Sequence, residues 1–169
     1  AHNHQNACAA YAACRTLGLG PKGIEAALRS FGGLPHRSQL VGERGGVRFV
    51  NDSKATNGAS TAPALAAYPR VHWIVGGLPK TDNLDECIPN FGHVVKAYTI
   101  GEAGPLFHEL LSPHLPVERS EMMGTAVHSA AAQAQPGDVI MLSPACASFD
   151  QFKDFEARGD AFRAIVEAL

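Results

Sequence analysis

The sequence has few cysteines and no long hydrophobic run. Only four cysteines occur, Cys8, Cys14, Cys87 and Cys146, and none forms a Cys-x-x-Cys pair. Sparse cysteine of this kind is typical of a reducing compartment, where a buried thiol is more often a small hydrophobic side chain than a metal ligand or nucleophile. No apolar run approaches the roughly 20 residues that a membrane-spanning helix needs. The first residues, Ala-His-Asn-His, do not resemble a signal peptide, so we expect a cytoplasmic protein with no membrane partner.

The sequence also lacks an excess of either charge. Lys and Arg together number 14 and Asp and Glu 16, which gives a net charge of −2. This balance argues against nucleic acid as a partner, because a nucleic-acid surface needs clustered positive charge. Hydrophobic residues make up 46% and charged residues 18% of the 169 positions, as in ordinary folded domains. At about 150 residues per domain, the length predicts one domain, with room for a piece of a second.

Several motifs of well-known active sites are missing. The chain contains no G-x-x-x-x-G-K-[ST] loop to cradle a triphosphate. The nucleophile elbow G-x-S-x-G is absent as well. The eight histidines are scattered without the close spacing of zinc ligands, so no metal site is expected within the chain.

The first third of the chain predicts a small helical piece followed by a boundary. Residues 6–17 are rich in alanine and favour a helix that Gly18 ends. Pro21 is placed to begin a second, amphipathic helix. Two glycines and a proline then interrupt the pattern in residues 32–37, GGLPHR. We therefore divide the chain into residues 1–33 and residues 34–169, and since it has no initiator methionine we expect it to be part of a longer protein.

The remaining residues alternate between strands and helices. Residues 38–43 and 47–50 predict a hairpin around Arg44-Gly45-Gly46. Short hydrophobic runs at 71–75, 94–100 and 139–142 predict buried strands, and 116–119 predicts one more. Helical stretches near 59–67, 104–111, 121–134 and 154–169 lie between or after them. This order predicts an α/β fold: a Rossmann-like, doubly wound, mostly parallel sheet with helices on both faces.

Polar residues follow three of these strands, where ligands bind in such sheets. Asp52 and Lys54 follow the second strand in the segment NDSKATN, Lys80 follows Gly76-Gly77, and Ser148 ends the loop SPACAS. These groups could accept a ribose hydroxyl, pair with phosphate or carboxylate, and present backbone N–H groups to an anion. Read locally, the first segment is equally well explained as a polar turn with a helix cap. The local pattern around Lys80 favours a strand-end turn with a surface lysine.

Five strings carry a resemblance: HNHQN, GLPHR, NDSKATN, GG-x-x-K and SPACASFDQF, in this order. From Asn3 to the last residue, the chain resembles the C-terminal part of the D-glutamate-adding members of the Mur ligase family. The resemblance implies an ATP-dependent ligase of peptidoglycan biosynthesis, which adds D-glutamate to UDP-N-acetylmuramoyl-L-alanine through an acyl phosphate. Residues 1–33 would then be the last two helices of the central ATPase domain, and residues 34–169 the amino-acid-binding ligase domain.

The resemblance also implies roles for particular residues. Lys54 and Arg37 would act on the transferred phosphoryl group. ATP would be bound by Asn3, Asn6, His36, Arg37, Asp52 and Lys54, and D-glutamate by Thr56, Lys80, Ser148, Phe149 and Phe155.

The chain departs from the family pattern in what it does not contain. The resemblance implies a P-loop, Mg²⁺ ligands, a carbamylated lysine and a UDP-sugar site in the N-terminal and central domains, and none of these is present here. Mg²⁺ would therefore be bound mainly by the missing central domain, and we expect the chain alone to be inactive. The alternative hypothesis is a Rossmann-like module that binds a ligand or partner without catalysis, because a fold does not determine a function.

Overall fold

A computed structural model describes residues 2–169, without the side chains of His2 and Asn3. The chain forms two compact units, of which the first ends at Leu34 and the second is Pro35–Leu169. In the first unit, α1 (His2–Thr16) is alanine-rich and α2 (Pro21–Ser30) begins with proline. Between them Gly18 has a φ of +83°, a left-handed conformation that glycine adopts without strain.

The second unit is built on a six-stranded sheet. Its strands are β1 (Gln39–Arg44), β2 (Val47–Asn51), β3 (Val71–Gly76), β4 (Val94–Ile100), β5 (Val117–Glu121) and β6 (Val139–Leu142). Their order across the sheet is β1-β2-β6-β3-β4-β5. Only β1 is antiparallel to its neighbour, and the other four pairings are parallel.

Helices cover both faces of this sheet. They are α3 (Gly58–Leu65), α4 (Gly104–Leu111), α5 (Met123–Gln133) and α6 (Phe155–Ala168), and a 3-10 helix spans Asp85–His93. One core contains Leu65, Trp73 and Phe107, from α3, β3 and α4. The other packs Ile74 of β3 and Phe162 of α6 on the opposite face. Alternate residues of one strand thus enter different cores, which is why the central strands are hydrophobic without interruption.

The sequence-based fold prediction is confirmed: the sheet is mostly parallel and covered on both faces. The 3-10 helix over Asp85–His93 was not predicted. Pro89 and Gly92 interrupt this segment, so it carries no regular α-helical periodicity. The boundary near residue 121 was also misplaced, because Glu121 is the last residue of β5 and α5 begins at Met123. Among the described residues, no helix has the length and apolarity needed to cross a bilayer.

The topology brings three strand ends together. Strands β2, β6 and β3 lie side by side and run in the same direction, so their carboxyl ends share one edge of the sheet. The loops that follow them carry Asp52, Ser148 and Lys80, respectively.

Candidate functional site

Asp52 lies at the centre of this edge and is almost fully buried. One carboxylate oxygen accepts the hydroxyl of Ser143 at 2.7 Å, and the other accepts the backbone N–H of Ser38 at 2.9 Å. The backbone N–H of Asp52 in turn bonds the carbonyl of Leu142 at 2.8 Å, which ties the end of β2 to the end of β6. Burial raises the pKa of Asp52, against the hydrogen bonds from Ser143 and Ser38 that lower it.

His36 is buried beneath the same loop and has a φ of +61°, which is uncommon for a residue other than glycine. Its Nδ1 lies 3.1 Å from the side-chain nitrogen of Asn51. The His36 carbonyl accepts the backbone N–H of Lys54 at 3.0 Å. His36 therefore supports the segment that carries Asp52 and Lys54.

The ammonium group of Lys54 sits over the ring of Phe155, 4.0 Å from the ring centroid. An ammonium at this distance from an aromatic face is attracted by the negative charge density of the ring. The same ring meets the imidazole of His36 edge-on, with centroids 6.0 Å apart. Phe155, at the start of α6, thus helps to fix the position of the Lys54 ammonium group.

Two consecutive glycines bring the loop after β3 close to its neighbours. Gly76 and Gly77 have φ values of +129° and +133°, and a Cβ on Gly77 would collide with the carbonyl of Ala147. Only glycine combines this conformation with such close approach. Beyond them, the exposed Lys80 places its ammonium 3.4 Å from the hydroxyl of Thr56 and lines an open cleft of about 510 Å³.

The loop after β6 pairs with the loop after β3. Ala147 and Leu78 exchange two backbone hydrogen bonds, of 2.9 and 3.0 Å. Ser148 is buried, whereas 69% of Phe149 is exposed. Among the described residues the backbone N–H of Ser148 has no hydrogen-bond acceptor.

Sequence reasoning missed Arg158, which lies in the first turn of α6 and is 1% exposed. Its guanidinium bonds Ser53 and the carbonyls of Cys146 and Ala147, and so connects two of the strand-end loops. Ser53 and Ser143 were missed as well. A signal was present in the sequence: Arg158 lies one turn after the first residue of the helix predicted over 154–169, close to the loop that carries Ser148.

The predicted residues not yet described are Arg37, whose charge acts to lower the pKa of Asp52, and Asn3 and Asn6 of the first unit. Arg37 is exposed, next to the buried His36. Asn6 lies on α1 in the first unit and is exposed, and the side chain of Asn3 lies outside the described residues. In the described part of the chain, no three His, Cys, Asp or Glu side chains come together as metal ligands do.

The edge therefore combines two ammonium groups, hydroxyl groups and a free backbone donor. Ammonium groups and N–H donors are suited to phosphate and carboxylate oxygens. The arrangement can hold a ligand with more than one anionic group.

Comparisons with known proteins identify the family and the fold of the chain. Residues 36–146 match the family model described as "Mur ligase, glutamate ligase domain". The chain is 68% identical over 168 residues to the UDP-N-acetylmuramoylalanine--D-glutamate ligase of Novosphingobium aromaticivorans, covering 99% of this chain and 38% of that protein. The enzyme of the same name from Sphingopyxis alaskensis is 59% identical over 173 residues and is covered to 40%. The chain thus spans less than half the length of these relatives.

Solved structures show the same fold. The UDP-N-acetylmuramate-alanine ligase of Thermotoga maritima superposes with a TM-score of 0.66 at 15% identity, over 99% of this chain and 38% of that one. E. coli FolC, in complex with DHPP and ADP, superposes with a TM-score of 0.67 at 23% identity, over 96% of this chain and 39% of that one. At such identities the likeness concerns the fold alone.

Proposed function

The chain belongs to the Mur ligase family through its glutamate ligase domain, and from this premise we propose that the protein containing it joins D-glutamate to UDP-N-acetylmuramoyl-L-alanine, using ATP. The observation that carries the proposal is the 68% identity over 99% of the chain to a ligase of that name. The matched region covers 99% of the chain and therefore spans all three strand-end loops. The reaction is a step of peptidoglycan biosynthesis, and the free thiols of the chain suit a cytoplasmic enzyme.

Within such an enzyme we assign residues 1–33 to the end of a central ATP-binding domain and residues 34–169 to the domain that binds the amino acid. The division of the chain into compact units near Leu34 supports this assignment. The missing N-terminal and central domains would supply the UDP-sugar site and the P-loop, because the chain contains no P-loop motif.

The residues after β2 suit the ATP side of the reaction. ATP supplies the phosphoryl group that activates the substrate carboxylate as an acyl phosphate. Lys54 and Arg37 provide positive charge for the transferred group, and Asp52 can accept a ribose hydroxyl. His36 holds Lys54 through its carbonyl. Asn3 and Asn6, in the first unit, would contact the adenine.

The residues after β3 and β6 suit D-glutamate, which has two carboxylates. Lys80 and Thr56 lie 3.4 Å apart and can together bind the α-carboxylate. The free backbone N–H of Ser148 can bind the side-chain carboxylate, beside Phe149 and Phe155. Two separate anion sites would select a dicarboxylic amino acid and leave its amine free to attack the acyl phosphate.

Mg²⁺ does not fit this part of the enzyme. The described residues offer no cluster of carboxylates to coordinate it. We assign the metal to residues outside this chain.

The test is an assay of the full-length protein. ADP formation from ATP is measured with UDP-N-acetylmuramoyl-L-alanine and D-glutamate, L-glutamate, D-alanine or glycine in turn. We expect turnover with D-glutamate only, and the isolated 169-residue chain should show none. A full-length protein that binds these compounds without turnover would favour the non-catalytic alternative, and equal turnover with glycine would contradict a dicarboxylate site.

A further inference from the structure

The side chain of Arg158 is buried without an acidic partner. It is 1% exposed, and no carboxylate of the described residues bonds its guanidinium. Burial lowers its pKa to about 10, so the group remains charged at neutral pH. A buried, unpaired charge is costly to a fold, and arginines in such places are normally paired. Its partners here are instead neutral oxygens in the strand-end loops.

These partners belong to two of the loops that carry proposed ligand contacts. Nε bonds the hydroxyl of Ser53 at 2.9 Å and one Nη bonds the Ser53 carbonyl at 2.8 Å. The same Nη bonds the carbonyl of Cys146 at 3.1 Å, and the other bonds that of Ala147 at 3.0 Å. Four of the five N–H groups of the guanidinium are thus used to join the loop after β2 to the loop after β6.

The bond to Ala147 has a consequence for the next peptide group. A trans peptide is planar, so its C=O and N–H point in opposite directions. Because Arg158 holds the carbonyl of Ala147 inward, the N–H of Ser148 is turned away from the guanidinium, and this is the N–H without a protein acceptor. The Ala147 carbonyl also accepts the N–H of Leu78 at 2.9 Å, which links the loop that carries Lys80.

We propose that Arg158 is a positioning residue for D-glutamate, which orients the Ser148 N–H and holds the Ser148 and Lys80 loops at one spacing. The proposal rests on the proposed function, because it assumes that these two loops bind the carboxylates of D-glutamate. Arg158 does not touch the substrate and acts only through the backbone that it holds.

The test compares Arg158→Lys and Arg158→Met in the full-length protein. A lysine retains the charge but cannot reach four separated oxygens, since its donors share one nitrogen. We expect the KM for D-glutamate to rise about tenfold in the lysine variant and further in the methionine variant. The KM for ATP should change less than threefold. Arg44→Met is the matched control, because its guanidinium bonds the Glu167 carbonyl at the far end of α6.

A purely structural role predicts a different result. It would lower the fraction of active protein and the melting temperature without raising the KM for D-glutamate more than the KM for ATP. That outcome would overturn the proposal. If Arg158→Met does not fold, Ser53→Ala removes the hydroxyl that accepts from Nε and donates to the Phe155 carbonyl, and it should raise the KM for D-glutamate about threefold with a normal melting temperature. An unchanged value would also contradict the proposal. Wild-type protein without D-glutamate-dependent turnover would instead refute the proposed function itself.

Discussion

The two ends of the sheet in Pro35–Leu169 hold their buried charges in different ways. At the amino end, Asp138 accepts hydrogen bonds from Arg70 at 2.6 Å and from His72 at 3.1 Å, so its charge is paired. At the carboxyl end, the buried Asp52 is bonded by hydroxyl and backbone groups, and the buried Arg158 by a hydroxyl and carbonyls. Neither of these two charges has a bonded counter-ion within the described residues.

The pKa values of the two carboxylates shift in opposite directions. Burial would raise the pKa of Asp138, but the bonds from Arg70, the Gln135 backbone and His72 hold it below its usual value. Burial raises the pKa of Asp52, because hydroxyl and amide donors compensate less than an ion pair. Paired charges stabilise one end of the fold. At the other end, Asp52 and Arg158 are charged groups held by neutral partners. Buried ionisable groups with shifted pKa values are typical of functional sites.

The largest expected effect concerns stability. Asp138→Ala should lower the free energy of unfolding by about 2–3 kcal/mol, because it leaves the buried His72 and the backbone N–H of Gln135 without their acceptor. Urea-induced unfolding at pH 7 measures the change. Asp52→Asn is the matched variant at the other end, and it should change stability by less than about 1 kcal/mol, since the ionised carboxylate gains little there. Equal losses of unfolding free energy in both variants would contradict the view that the buried carboxylate stabilises the fold at the amino end only.

A second prediction separates two lysines at the carboxyl end. Lys80→Ala should raise the KM for D-glutamate roughly ten- to a hundredfold, the usual effect of losing a charged hydrogen bond of about 1.5–3 kcal/mol. Lys54→Ala should instead lower kcat more than it raises either KM, because its contact strengthens as charge develops on the phosphoryl group. Steady-state kinetics of the full-length protein measure both. An unchanged KM for D-glutamate in Lys80→Ala would exclude the loop after β3 from the amino-acid site.

Between pH 7 and 5, one contribution to the pH dependence of stability should come from His72 at the amino end. Burial lowers the pKa of His72, against the hydrogen bond that His72 donates to Asp138, which raises it. The unfolded chain therefore binds a proton that the folded chain does not, and the contribution of His72 to stability is lost as the pH falls below about 6.5. His72→Gln should reduce the slope of the free energy of unfolding between pH 7 and 5, whereas His128→Gln, at an exposed position on α5, should not. Identical slopes for the wild type and His72→Gln would contradict this origin.

The smallest expected effect is that of the Lys54–Phe155 contact. Phe155→Leu keeps an apolar side chain but removes the ring that lies 4.0 Å from the ammonium. A cation–π interaction at a partly exposed site contributes about 0.5–1 kcal/mol, so kcat should fall two- to fivefold. Phe155→Tyr retains the ring and should remain near the wild-type rate. A leucine variant with full activity would show that Lys54 is held by other means.

Much of the fold could be predicted because it depends on local pattern. The hydrophobic runs at Val71–Gly76 and Val139–Leu142 are too short and too continuous for amphipathic helices, and the glycines and Ser-Pro that follow them mark their ends. The 3-10 helix at Asp85–His93 was missed because it has no such periodicity. The candidate residues Asp52, Lys80 and Ser148 could be picked because each follows a strand, and their roles remain predictions.

What the sequence by itself determined is the set of strands and helices, their alternation and the family to which the chain belongs. These follow from residue types at close spacing along the chain. Only the tertiary structure decided that Arg158, 105 residues from Ser53, holds the loops of the proposed site. The same is true of Asp138 and His72, which are 66 residues apart in the sequence. These partners come together because the strand order β2-β6-β3 places the last strand of the sequence between two earlier strands. The spacing of residues along the chain does not reveal that order.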